Sequence, residues 1–158
     1  MALRNIREMG DSVLNKVSRE VKEITPKIRE LVEDMYDTMY EAQGVGLAAP
    51  QVGVLKRIVV VDISPEGNQP ITLINPVIVE ESGSQTGDEG CLSVPNKCGV
   101  VTRPEHVKVK AFDIDMNEFE MEADGLLARA FCHEIDHLDG HLYVELVEGD
   151  LKVLTEEE

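Results

Sequence analysis

With 158 residues, 42% of them hydrophobic, the chain is long enough for one packed domain over 1–158 and too short for two of ordinary size. A formal net charge of −16 opposes close approach to bare nucleic acid or an anionic membrane, and 4% aromatic residues leave little for stacking on single strands. No apolar run approaches the ~20 residues of a membrane span, and Met1 to Glu8 lack the apolar core of a signal peptide, so the expected location is cytoplasmic.

Asp11 to Val17 reads as a short helix or turn leading into an extended stretch. Thr25-Pro26 is a helix start, a hydroxyl N-cap followed by proline at the first helical position. Ile28, Leu31, Val32, Met35 and Met39 then recur at helical spacing as a core stripe, and Gly44 is expected to stop the helix. Short strands follow. Arg57 to Ile63 and Ile71 to Asn75 are β-branched runs separated by the turn residues Pro65-Glu66-Gly67-Asn68. Val107 to Phe112 alternates as a half-wet strand should, and Glu118 to Met121 reads as its hairpin partner. A second helix is expected over Gly125 to Leu138, with Gly140 as its stop. Beyond Val147 the chain turns acidic, and Glu156-Glu157-Glu158 is expected to fray. Helix, strands and helix without regular βα alternation mean α+β, with antiparallel strands packed around the C-terminal helix.

That second helix contains His133-Glu134-Ile135-Asp136-His137, the HExxH pattern. At about 100° per residue the two histidines lie one turn apart on the same face and can reach one ion. Glu134 is turned about 60° from His137, so its carboxylate can overhang an open coordination position and take a proton from water there. Leu127, Phe131, Ile135 and Leu138 form a separate packing stripe. Leu126 and Ala130 share the histidine side, and Arg129, Cys132 and Asp136 occupy the remaining face. Three fixed positions are few, and an ordinary helix can carry them by coincidence.

Two histidines need a further ligand. The longer HExxH protease pattern asks for Gly three and His six positions past the second histidine. Gly140 meets the first condition, but position 143 is Tyr, and the protease reading fails there. Three cysteines without an export signal favour metal or thiol chemistry over disulfides. Upstream, Glu89-Gly90-Cys91-Leu92-Ser93-Val94-Pro95 offers a thiolate soft enough for iron or zinc, although a lone cysteine is more often a small buried apolar residue. Gly44-Val45-Gly46-Leu47-Ala48-Ala49-Pro50-Gln51 is a run of small residues that lets backbone or ligand come close. Its Gln51 can donate to a developing oxyanion.

These three segments, in this order, resemble the peptide deformylases: a Gly-rich segment ending in Gln, then EGCLS, then HExxH followed by Leu-Asp-Gly. The resemblance covers nearly the whole chain. It implies that Cys91, His133 and His137 hold one Fe2+, with Zn2+ as the alternative, and that Glu134 moves the proton. It further implies that Gln51 and the Leu92 backbone N–H stabilise the oxyanion, and that Val45, Gly46, Leu126 and Ala130 contact the substrate. Glu89 and Arg103 match a pair that braces the Cys-bearing loop. The implied partners are nascent N-formylmethionyl peptides, with transient ribosome proximity and neither direct nucleic-acid nor membrane binding. Cys132 and Cys98 depart from the common pattern, leaving the ligand set intact. The competing readings are a general HExxH peptidase and a non-catalytic binding member; a binding module has no need of Gln51, Cys91, His133, Glu134 and His137 together.

Overall fold

A computed structural model of the chain describes residues 2–153. The first local element is a 3₁₀ turn, Ser12–Asn15, closed by the Asp11 carboxylate accepting from the Val13 N–H. The next stretch is extended and is tied to the sheet by Asn75, whose amide exchanges two hydrogen bonds with the Val21 backbone. Helix α1 (Pro26–Glu41) begins as expected, with Thr25 Oγ1 accepting from the Ile28 N–H. Its end differs from expectation. The left-handed residue that stops it is Gln43, at φ 60°, and the Gly44 N–H closes back onto the Met39 carbonyl. Gly44 is small for another reason: a Cβ there would lie 2.7 Å from Leu92 Cδ1.

Five strands, β1 (Gly46–Ala48), β2 (Ile58–Val61), β3 (Ile71–Ser82), β6 (His106–Phe112) and β7 (Glu118–Asp124), form an antiparallel sheet in the order β1-β2-β3-β6-β7. A second sheet, β4-β5-β8, contains β4 (Gln85–Cys91), β5 (Val94–Arg103) and β8 (Glu148–Val153). Strand β3 runs seven residues past its expected end at Asn75, through Pro76, and absorbs the proline with a register shift between Ile74 and Val77. Strand β8 lies where the sequence reads only as an acidic tail; residues 156–158, expected to fray, lie outside the described residues.

Helix α2 (Gly125–Leu138) has the expected bounds. Gly140, at φ +83°, follows it, and a Cβ there would meet the Asn15 backbone at 2.8 Å. Strand β2 is buried on both faces, which is why Ile58-Val59-Val60-Val61 is uninterruptedly apolar, whereas β6 and β7 keep one wet face. Val59 and Val61 face α2 with Leu73, Val109, Phe131 and Ile135, whereas Ile58 and Val60 face α1 with Leu31, Met35 and Met39. Each such side chain contributes roughly 1.5–3 kcal/mol by leaving water. The packing stripe expected on α2 is the one that meets this core. Its polar side is thereby turned toward β1, the 3₁₀ turn Ala49–Val52 and the smaller sheet.

Candidate metal centre

The two histidines of α2 are held one turn apart, ring centroids 5.1 Å from each other. Strand β4 brings Cys91 to them, and its Sγ lies 3.3 Å from His137 Nε2. One donor atom from each of Cys91, His133 and His137 falls within 4.8 Å of the others. Tetrahedral coordination at ordinary Zn–S and Zn–N lengths separates sulfur from nitrogen by about 3.6 Å, so the three donors fit one ion.

The ring of His133 is oriented from behind. Glu89 is buried, and its Oε2 accepts from His133 Nδ1. Burial acts to raise the Glu89 pKa, but hydrogen bonds from His133 and Arg103 outweigh it and hold the group at about 2. An ionised carboxylate only accepts, so Nδ1 carries the proton and Nε2 keeps its lone pair for a metal. Burial acts against charge on His133, yet Glu134, Cys91 and Glu89 together hold its pKa well above the usual value. His137 is the opposite case: burial first, then the charges of His133 and Arg103, keep its pKa well below the usual value, so its imidazole is neutral. Its Nδ1 is buried and has no hydrogen-bond partner among the described residues.

Glu134 is 5% exposed, with Oε2 4.0 Å from His133 Nε2 and Oε1 without a hydrogen-bond partner among the described residues. Burial lifts its pKa to about 7, against the opposing charge of His133, which suits a group that takes and returns a proton near neutrality. Strand β1 crosses directly above it. A Cβ at Gly46 would lie 2.6 Å from Glu134 Oε2 and 2.9 Å from its Cγ, so only glycine leaves the carboxylate where it is. Gln51 is also fixed: Oε1 accepts from the Ala48 N–H at 2.9 Å, and Nε2 donates to Ser93 Oγ at 3.0 Å and approaches Cys91 Sγ at 3.5 Å. Leu92 and Ser93 form the two-residue turn between β4 and β5, and the Ser93 N–H reaches back to Cys91 Sγ at 3.4 Å.

A cleft of about 450 Å³ opens over these groups, lined by Val45, Gly46, Cys91, Leu92, His133 and Glu134 among others. Leu126 and Ala130 are on α2 but outside this lining; Leu126 is 54% exposed, and Ala130 is buried in the core facing α2. Arg103 pairs bidentately with Glu89, at 3.1 and 2.7 Å, and reaches Asp136 at 2.7 Å. Sequence reasoning missed Ser93, which aims Gln51, and Arg129, which joins Glu89 at 2.8 Å. The i, i+4 spacing of Arg129 to His133 was the available signal. Cys132 is buried and its thiol is pushed up to about 11 by that burial, so it stays protonated; Cys98 is half-buried on β5.

The polypeptide deformylase family model matches residues 3–152. A peptide deformylase of Lachnoclostridium phytofermentans is 68% identical over 98% of this chain and 95% of its own length. One from Agathobacter rectalis is 65% identical over 100% of this chain and 98% of its own length. Among solved structures, a peptide deformylase from Legionella pneumophila superposes with a TM-score of 0.89 at 43% identity, covering 92% of this chain and 86% of that one. A peptide deformylase from Synechococcus elongatus in complex with actinonin superposes at 0.88, with 41% identity and coverage of 92% and 79%. With a match of this extent along the chain, and with the Gly-rich, EGCLS and HExxH segments meeting at one centre, the chain belongs to the polypeptide deformylase family, whose members are enzymes.

Proposed function

We propose that the chain acts as one catalytic domain, hydrolysing the formamide bond of N-formylmethionine at the start of nascent polypeptides. The reading is carried by one observation: Cys91, His133 and His137 converge beside a buried Glu134, one carboxylate oxygen of which has no hydrogen-bond partner among the described residues. Those three residues are the proposed ligands of one Fe2+, or of Zn2+ as the alternative. When bound, the ion supplies Lewis-acid polarisation and makes a water acidic near neutral pH.

Glu134 accepts a proton from the water that adds to the formyl carbon, then delivers it to the departing amine nitrogen as the C–N bond breaks, leaving formate and a free N-terminal methionine. Gln51 Nε2–H and the Leu92 backbone N–H donate to the oxygen that gains charge in between. Gln51 suits this role because Ala48 and Ser93 already fix its amide, so little reorganisation is required. β1 is an edge strand, and Val45 and Gly46 border the cleft, so an extended peptide can add beside them with main-chain hydrogen bonds. Leu126 and Ala130 are proposed for the methionine side chain, Leu126 being an exposed apolar residue one turn before Ala130 on the helix that carries the histidines.

The proposed setting is the cytoplasm, near ribosomes delivering N-formylmethionyl chains; among the described residues no helix is long and apolar enough to cross a membrane. The test is formate release from a formyl-Met-Ala-Ser peptide by protein loaded anaerobically with iron or zinc. Turnover of that peptide, with none of the unformylated one, is expected. Stoichiometric metal without formate release would refute the reading.

A further inference from the structure

We infer that Arg129 is a positioning residue for the metal centre, acting on His133 through Glu89. This rests on the ligand set proposed above. Arg129 sits on α2 one turn before His133, so both side chains leave the helix toward β4. There they meet the same carboxylate. Glu89 Oε2 accepts from His133 Nδ1 and from Arg103 Nη2 at 2.7 Å, and Oε1 accepts from Arg103 Nε at 3.1 Å and Arg129 Nη1 at 2.8 Å. Arg129 therefore makes the shorter of the two bonds to Oε1. It is 8% exposed, and such burial is costly unless the charge is matched. Here the match is complete, with Arg103 and Arg129 set against Glu89 and Asp136.

Arg103 is not committed to Glu89 alone. Its guanidinium is shared with Asp136, at 2.7 Å, on the next turn of α2 after His133. Without Arg129, the Glu89 carboxylate would keep only the longer bond on Oε1 and could swing with Arg103 toward Asp136, taking the acceptor away from His133 Nδ1. Arg129 opposes that swing from the other side. Its own second nitrogen is anchored on the Gln85 carbonyl at 3.4 Å, at the start of the strand that ends in Cys91. One side chain thus ties the strand bearing the thiolate to the carboxylate that orients an imidazole ligand. Partners at this remove from a metal typically change its affinity 10–100-fold when lost.

A brace that merely holds α2 to β4 would affect folding and leave the ion's surroundings alone, so the test reads the ion. Wild type, Arg129→Met, Arg129→Gln and Arg129→Lys would be loaded with Co2+ or Zn2+. The measurements are the cobalt ligand-field spectrum, zinc affinity by chelator competition, and kcat and KM for a formyl-Met peptide. The uncharged variants should bind zinc ~10–100-fold more weakly, shift the cobalt bands, and lose kcat with KM nearly unchanged. Arg129→Lys should recover much of the zinc affinity, since it restores the cation and one donor to Oε1. If Arg129→Met does not fold, Arg129→Gln carries the comparison. If neither folds, their failure at neutral charge together with a wild-type cobalt spectrum in Arg129→Lys overturns the assignment in favour of a brace. Wild-type zinc affinity and cobalt spectrum in any folded uncharged variant overturn it as well. Failure of the wild-type protein to bind zinc would instead refute the ligand set on which it rests.

Discussion

Gly46→Ala is the sharpest test of how the protein holds its base. Gly46 does not have a positive φ, so alanine suits the backbone there, and the consequence is purely steric. The added Cβ would lie 2.6 Å from Glu134 Oε2, 2.9 Å from Cγ and 3.0 Å from Cδ. Ordinary contact needs about 3.5 Å, so the carboxyl arm must retreat by roughly 0.5–1 Å, and because Cγ is involved the whole side chain must move. Misplacing a reacting group by about 1 Å can cost ~10²-fold in rate, equivalent to about 2.7 kcal/mol of transition-state stabilisation. Stability should barely change, because the strain falls on a side chain with an unshared oxygen and alanine reduces the freedom of the unfolded chain. Metal content should stay at the wild-type level, since the three atoms nearest the new methyl group all belong to Glu134, which is outside the proposed ligand set. Formate-release kinetics, elemental analysis and thermal melts on one preparation decide it. A kcat within threefold of wild type would show that Glu134 works from another position, or does not work as the base.

Glu134→Gln should retain metal and lower turnover by ~10²–10⁴-fold, the usual loss on removing a general base; near wild-type turnover would place the base elsewhere. Cys91→Ala should lose tight zinc binding, whereas Cys132→Ala should keep it, because the Cys132 thiol stays protonated in its buried position; elemental analysis after dialysis distinguishes them. Leu126→Gln, at an exposed position that tolerates a polar group, should raise KM for formyl-Met peptides ~3–10-fold if Leu126 receives the methionine side chain, and an unchanged KM assigns that pocket to another wall. Away from the site, the hydrogen bond that His106 Nδ1 donates to the Asp124 carboxylate, opposed by desolvation and aided by Glu122, raises the pKa of His106 above 6.5. Its folded-state pKa is thus the higher one. The stability it lends the β6–β7 pair is complete below pH 6.5 and is lost as pH rises through the raised value, which NMR titration of the ring and its loss in Asp124→Asn would show.

Wherever neighbouring residues alone decide the structure, the sequence was legible. The Thr25-Pro26 start of α1 and the bounds of α2 follow from capping and periodicity within a single turn or two. The one-face placement of His133 and His137 needs nothing beyond helix geometry. Elements formed by long-range pairing were not legible. Strand β4 alternates as a strand should, but its inward residues are Gln85, Gly87, Glu89 and Cys91, so no hydrophobic period marks it. Its extended form comes from pairing with β5, and its polar inner face exists because it supplies the site. Strand β8 is acidic and depends on β5 in the same way. The stop of α1 at Gln43 was hidden because Gly44, the residue that looks like a stop, is small to accommodate Leu92. Helical spacing could nominate His133, Glu134 and His137, and the family resemblance added Cys91. Only the packing of α2 against β1 and β4 decided that Gly46 would press on Glu134 and that Arg129 would join Arg103 on Glu89, because those contacts join residues 40 or more positions apart.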